Sequence, residues 1–209
     1  MALIFLLSQL ITIELDKSKS GGSLMNFFNI FFKSAFGGIA IGIGSLIFLN
    51  LGGVAGMIGF SIGLYLILWF HLNLYTGKIG YITKKTVGST FLILLGNLVG
   101  CLLMLIFPST SAAVTLMATK VATPWYLVLV KSIICGVLIY AAVEQYKQGK
   151  EYAPIIAVPA FIACGAEHCI ADFCFVLLAG PSLSFIPFFL LVVAGNSIGS
   201  IIFRLVTKT

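Results

Sequence analysis

Gly96-Asn97-Leu98-Val99-Gly100 returns 99 residues later (195 − 96) as Gly195-Asn196-Ser197-Ile198-Gly199. Each copy lies in an apolar run long enough to cross a bilayer, which takes about 20 helical residues. The same shift carries Leu24 to Thr123, Gly53 to Tyr152 and Thr86 to Phe185, the starts of other apolar runs. Spans are therefore expected at 24–50, from Gly53, at 86–107, at 123–145, from Tyr152 and at 184–206. The spans from Gly53 and from Tyr152 are interrupted, at His71 to Lys78 and at Cys164 to His168. A three-span unit has an odd number of crossings, so its second copy must insert upside down. The expectation is an all-α polytopic membrane protein of six transmembrane helices, in two inverted three-helix repeats with helices two and five broken.

Composition agrees. The chain is 60% hydrophobic and only 9% charged, with a mean hydropathy of +1.16. A soluble surface needs roughly 25% charged residues, so the outer face of this fold must meet lipid. The net charge of +6 is spread along the chain. Lys17, Lys19, Lys84, Lys85, Lys147, Lys150 and Lys208 all fall on one side of the expected spans, and only Lys120 on the other. By the positive-inside rule both termini are cytoplasmic in a cell membrane. No basic stretch is interleaved with aromatics outside the spans, which argues against nucleic acid as a partner.

Residues 1–15 lack the positive start and the small-residue cleavage pattern of a signal peptide. Residues 1–23 are read as an N-terminal interfacial segment, 24–107 as the first repeat, 108–122 as an extracytoplasmic connection and 123–206 as the second repeat. The five cysteines lie in apolar runs without zinc-site spacing, so no metal or other cofactor is expected. Glycines four apart, as in Gly38/Gly42 and Gly96/Gly100, suit close helix crossings in lipid.

Chemistry concentrates in Gly165-Ala166-Glu167-His168-Cys169-Ile170-Ala171-Asp172. An ionisable group at membrane depth costs about 2.5–3.5 kcal/mol on insertion scales. Glu167, His168 and Asp172 should therefore pair with one another or face a cavity. Lys33 and Lys131 occupy nearly equivalent repeat positions. They are expected to pair with carboxylates such as Glu167 or to reach an interface. His71, beside the first break, is a candidate for lining a vestibule, with ordinary packing as the plainer reading.

The octad resembles the Gly-Phe-Glu-His-Ser-Ile-Ala-Asn signature of the formate/nitrite transporter family. Leu74-Tyr75-Thr76 resembles that family's Leu-Phe-Thr, Phe161 its second-constriction aromatic and Lys120 its lysine at the periplasmic mouth. Both Gly-Asn-x-x-Gly elements are similar to elements of the family. The resemblance implies a homopentamer with one pore per six-span protomer. It also implies that Leu74, Tyr75, Thr76, Phe161 and His168 line the pore and constrictions. Lys78, Lys120, Lys131, Glu167 and Asp172 are then mouth or supporting charges. Three departures resemble the hydrosulfide branch: Cys135-Gly136 where the family has Cys-Asn, Asp172 for the last Asn, and Gly77-Lys78 after the threonine. The missing amide, taken as pore-lining, argues against carboxylate or nitrite recognition.

A channel for small monovalent anions, passive or proton-assisted, is therefore expected, with hydrosulfide first and formate or nitrite as the alternative. Lysines near the mouths would concentrate anions, apolar rings would exclude hydrated cations, and His168 would lend a proton or positive potential. Two other readings compete. A water or glycerol channel would carry Asn-Pro-Ala in each half, which this chain lacks. An intramembrane thiol enzyme would set Cys164 or Cys169 against His168, but no further orienting partner is evident. The expectation is therefore a non-enzyme.

Overall fold

A computed structural model describes residues 22–207. The segment expected at 1–23, apart from its last two residues, lies outside the described residues, as do Lys17, Lys19 and Lys208. The described residues form α1 (Gly22–Leu51), α2 (Gly53–Trp69), the single turn α3 (Tyr75–Lys78) and α4 (Val87–Cys101). They continue as α5 (Ser111–Val121), α6 (Trp125–Lys147), α7 (Ala153–Ala163), α8 (Cys169–Ala179) and α9 (Phe185–Thr207). Short 3-10 turns follow α3 (Ile79–Tyr81) and α4 (Leu102–Ile106).

Among the described residues, four stretches are long and apolar enough to cross a membrane: Leu24–Leu51, Val87–Ile106, Trp125–Lys147 and Phe185–Thr207. The pairs α2/α3 and α7/α8 are broken where the sequence predicts. Large apolar side chains such as Phe28, Phe32, Phe36 and Leu190 stay exposed on the outside of the bundle, as they do where lipid replaces water.

Each half is built by close backbone contact. α1 packs on α2 and α4, and α6 packs on α7 and α9. A Cβ on Gly38 would overlap the Asn97 carbonyl oxygen, and one on Gly136 would overlap that of Asn196. Likewise Gly100 meets the Ala35 carbonyl and Gly199 that of Ile133. Only glycine permits these crossings, which supply the dispersion contacts that hold helices together in lipid.

Both breaks use one local design. α2 ends with the Leu72 N–H on the Ile67 carbonyl (2.8 Å) and the His71 N–H on that of Leu68 (3.3 Å). α7 ends with the Ala166 N–H on the Phe161 carbonyl and the Gly165 N–H on that of Ile162, both 2.9 Å. These are two Schellman motifs, and the residue each requires in the left-handed region is His71 (φ 50°) in one and Gly165 (φ 63°) in the other.

Two features were not expected in detail. The connection at 108–122 is mostly the helix α5, capped by the Thr110 hydroxyl accepting the Ala113 N–H (3.2 Å). At one end of the bundle, the Tyr81 phenol donates to the Glu144 carboxylate. Lys147 Nζ lies 3.5 Å from the centre of the Tyr81 ring, and Arg204 donates to the Gly80 carbonyl (3.0 Å). Burial and the Glu144 carboxylate push the Tyr81 phenol well above its usual range, so it remains a donor. This cluster gathers the loop bearing Lys84 and Lys85, the α6 terminus and the α9 terminus at one lysine-rich end.

Candidate functional site

One asparagine in each half fixes the geometry at the breaks. Asn97 Oδ1 accepts the Tyr75 N–H (2.8 Å), while its Nδ2 donates to the carbonyls of Ser34 (2.6 Å) and Asn73 (2.8 Å). Asn196 Oδ1 accepts the Cys169 N–H (2.9 Å), and its Nδ2 donates to Ser132 (2.9 Å) and Glu167 (2.8 Å). A helix start has N–H groups with no partner of its own, and in hydrocarbon such groups must be satisfied inside the protein. The repeated Gly-Asn-x-x-Gly supplies that partner: its glycines let α4 and α9 approach, and its asparagine clamps the restarted helix.

The two breaks meet. Leu74 and His168, the residues before the restarts, are both extended (φ −122° and −116°). His168 Nδ1 accepts the Ala171 N–H (3.1 Å), and its Nε2 lies 2.9 Å from Thr76 Oγ1. A nitrogen that accepts an N–H carries no proton, so the neutral ring holds its proton on Nε2 and donates it to Thr76. The Thr76 hydroxyl keeps its own proton and has no further acceptor among the described residues. Both nitrogens of His168 are engaged, so it activates neither Cys164, which is exposed, nor the buried Cys169.

Apolar side chains pack around this pair. The Phe161 ring stacks on His168 (centroids 5.9 Å) and meets Phe60 edge-on (6.1 Å). Phe175 and Phe48 extend the cluster. One turn along α2 from Phe60, Leu64 joins Leu74 in lining a cavity of about 330 Å³ at the lysine-rich end, with His71, Lys78, Tyr146 and Lys147 at its polar side. Phe60 and Leu64 escaped the sequence reading because α2 is apolar all round and shows no face. Tyr75 is buried, and its hydroxyl donates to Ser197 Oγ (2.8 Å), which itself donates to the Val193 carbonyl (2.6 Å).

Glu167 and Asp172 do not pair with His168, which was one of the two placements the sequence offered. Glu167 and Asp172 both bind Lys120, whose Nζ is 3.0 Å from Asp172 Oδ1. Their side chains are 2% and 1% exposed. Of the two placements expected for Lys131, the pairing with Glu167 is taken by Lys120 instead, because α5 folds over the start of α8. Lys131 instead lies beside Gly165, its Nζ 3.8 Å from where a Cβ would stand. The Cys135-Gly136 departure also needs correction. Position 136 faces the Asn196 backbone at a helix crossing, so its missing amide says little about the lumen.

The sequence profile of the formate/nitrite transporter family matches residues 16–208. The chain belongs to this family. A solved structure described as an FNT family ion channel is similar at 26% identity, with a TM-score of 0.73, over 90% of this chain and 92% of that one. A pentameric formate channel with formate bound has the same fold at 18% identity, again with a TM-score of 0.73, over 91% of this chain and 96% of that one. No curated protein matches the sequence. Membership makes the protein a multi-pass membrane channel, and the pair at the breaks sits in the body of that channel fold.

Proposed function

We propose that the protein is a homopentamer of six-span protomers, both termini cytoplasmic. Each protomer carries its own path for small monovalent anions, with hydrosulfide the foremost substrate. The observation that carries this reading is the buried Thr76–His168 hydrogen bond, set among apolar side chains. An anion entering a dry layer loses its hydration and needs partial compensation, while a strong site would trap it. One free hydroxyl proton, on Thr76, offers such weak compensation. A single donor suits hydrosulfide, whose charge sits on one sulfur, better than a two-oxygen carboxylate. A proton-assisted step has a structural cost here. Protonating His168 turns Nδ1 into a donor facing the Ala171 N–H and forfeits the helix cap, worth about 1 kcal/mol.

Formate or nitrite is the second reading, favoured by the fold shared with a channel solved with formate bound. Uptake of hydrosulfide, formate, nitrite and chloride into proteoliposomes at several pH values decides between them. Hydrosulfide should lead, and Thr76→Val, which keeps the shape and removes the donor, should slow every permeant anion. Formate or nitrite in the lead establishes the second reading. No anion flux at all overturns both.

A further inference from the structure

The charges gathered at the second break do not balance. Glu167 and Asp172 both turn to Lys120, and two carboxylates against one ammonium leave one negative charge over. Glu167 is the carboxylate hydrogen-bonded to the lysine. Asp172 brings only Oδ1 near it, at 3.0 Å, and its Oδ2 has no partner among the described residues. The Asp172 side chain is nevertheless buried. A charge left without a partner at membrane depth is strongly disfavoured.

No second cation is there to cancel it. α5 contributes Lys120, and α6 contributes the buried thiol of Cys135. α8 itself adds the Cys169 thiol and, one turn back, His168, whose two nitrogens are engaged. α4 has no charged residue, and α1 has only Lys33, at the first break. α9 has only Arg204, which is bound to the Gly80 carbonyl at the lysine-rich end. The excess charge also stands beside the aromatic cluster. Asp172 shares a stripe of α8 with His168 and Phe175, at i, i+4 and i+7, and Phe175 packs on Phe60. With the restarts Tyr75 and Cys169 aligned, 94 residues apart, Asp172 falls opposite Lys78. Equivalent positions of the two halves thus carry opposite charge.

We propose that Asp172 is a proton-binding site, and that an anion passes the second break when Asp172 holds its proton. The inference rests on the anion-channel reading above. A proton taken from water at the end where α5 lies turns the carboxylate into a carboxyl group, and Lys120 is then balanced by Glu167 alone. The new O–H is a donor, and the neighbouring Glu167 carboxylate is an acceptor. Without the proton, the surplus negative charge repels an anion arriving beside Phe161 and Phe175. At an effective dielectric of about 20, a unit charge about 10 Å away changes anion occupancy by roughly 10-fold. The proton stays on Asp172 throughout, so it gates the anion and does not cross with it.

The test compares the full-length channel with Asp172→Asn and Glu167→Gln in oriented proteoliposomes. Hydrosulfide, formate and nitrite are each used as probes, with the end bearing α5 held at pH 6 and at pH 8. Flux is expressed as the ratio of variant to parent at each pH, which cancels the change in anion speciation. Each variant leaves one carboxylate for Lys120, so neither needs a proton to balance the group. Both ratios should therefore be roughly 10-fold higher at pH 8 than at pH 6. The same proteins are melted in mild detergent at both pH values. Taking up the proton removes a buried surplus charge, so the parent should gain roughly 3 °C or more at pH 6 relative to Asp172→Asn. Flux ratios independent of pH overturn the proposal, and so does a parent whose melting follows pH just as Asp172→Asn does. A parent that passes none of the three anions overturns the channel reading instead, and the melting comparison then decides by itself whether Asp172 binds the proton.

Discussion

Replacing Asn196 by alanine removes three hydrogen bonds from the second break at once. The Ser132 carbonyl lies inside α6 and keeps its helical partner, so its loss is small. The Cys169 N–H and the Glu167 carbonyl are different. Both are buried at the restart of α8, and Asn196 is the partner given to each, at 2.9 and 2.8 Å. A buried polar group left unsatisfied costs about 1–3 kcal/mol, so two of them cost about 4 kcal/mol at mid-range. On the scale of a chain of 150–250 residues this is a fall of roughly 8–16 °C in melting temperature.

The assay is thermal loss of the oligomer in mild detergent, followed by fluorescence-detected size exclusion. Asn97→Ala should lose a similar amount, since it abandons the Tyr75 N–H and the Asn73 carbonyl in the same way. Asn50→Ala is the control. Asn50 is exposed and bonds only back to Leu46 of its own helix (2.8 Å), so it should melt with the parent. If Asn196→Ala and Asn97→Ala also melt within about 2 °C of the parent, less than about 1 kcal/mol, the clamp does not hold the breaks and the reasoning fails.

Three further outcomes are expected. Phe161→Ala, and equally Phe60→Ala, should widen the range of permeating solutes while leaving assembly intact; unchanged selectivity in flux assays would make the Phe60–Phe161 contact ordinary packing. Lys120→Met should destabilise strongly, by about 3–5 kcal/mol, because it strands two buried carboxylates. Adding Glu167→Gln and Asp172→Asn should restore most of that loss in the same melting assay. His168→Asn should still assemble, since its carbonyl oxygen can accept the Ala171 N–H, but anion flux should slow at every pH because the donor to Thr76 is displaced; a parental rate would remove His168 from the permeation step.

The sequence repeat made the frame legible, and its failures of register show what was not. The offset is 99 residues at Asn97/Asn196 and 98 at Ser34/Ser132, but 94 at Tyr75/Cys169. It shifts because α7 has 11 residues where α2 has 17. A constant shift therefore aligns the spans while misaligning the breaks, and it hides the meeting of Thr76 with His168. The pattern of glycine and asparagine was visible, yet the work of each asparagine lies across the break and in another helix, where no local periodicity reaches. Lys120 stood out as the lone cation on its side, but its carboxylate partners depend on α5, which was read as a plain connection.

With the register corrected, the chain departs from its own symmetry at a few positions, and these coincide with the chemistry. Asn73 is matched by Glu167, His71 by Gly165 and Leu74 by His168. The backbone at each pair is alike, as the φ values of Leu74 and His168 and the paired Schellman motifs show. The differences therefore reside in the side chains alone. Two imidazoles facing each other at the centre would give the site two competing titrations. One imidazole against Leu74 and Thr76 gives a single polarised donor in a dry setting. The duplicated frame supplies two clamped breaks, and in the proposed reading the unequal side chains turn their meeting point into a directional path with a cationic rim at one end.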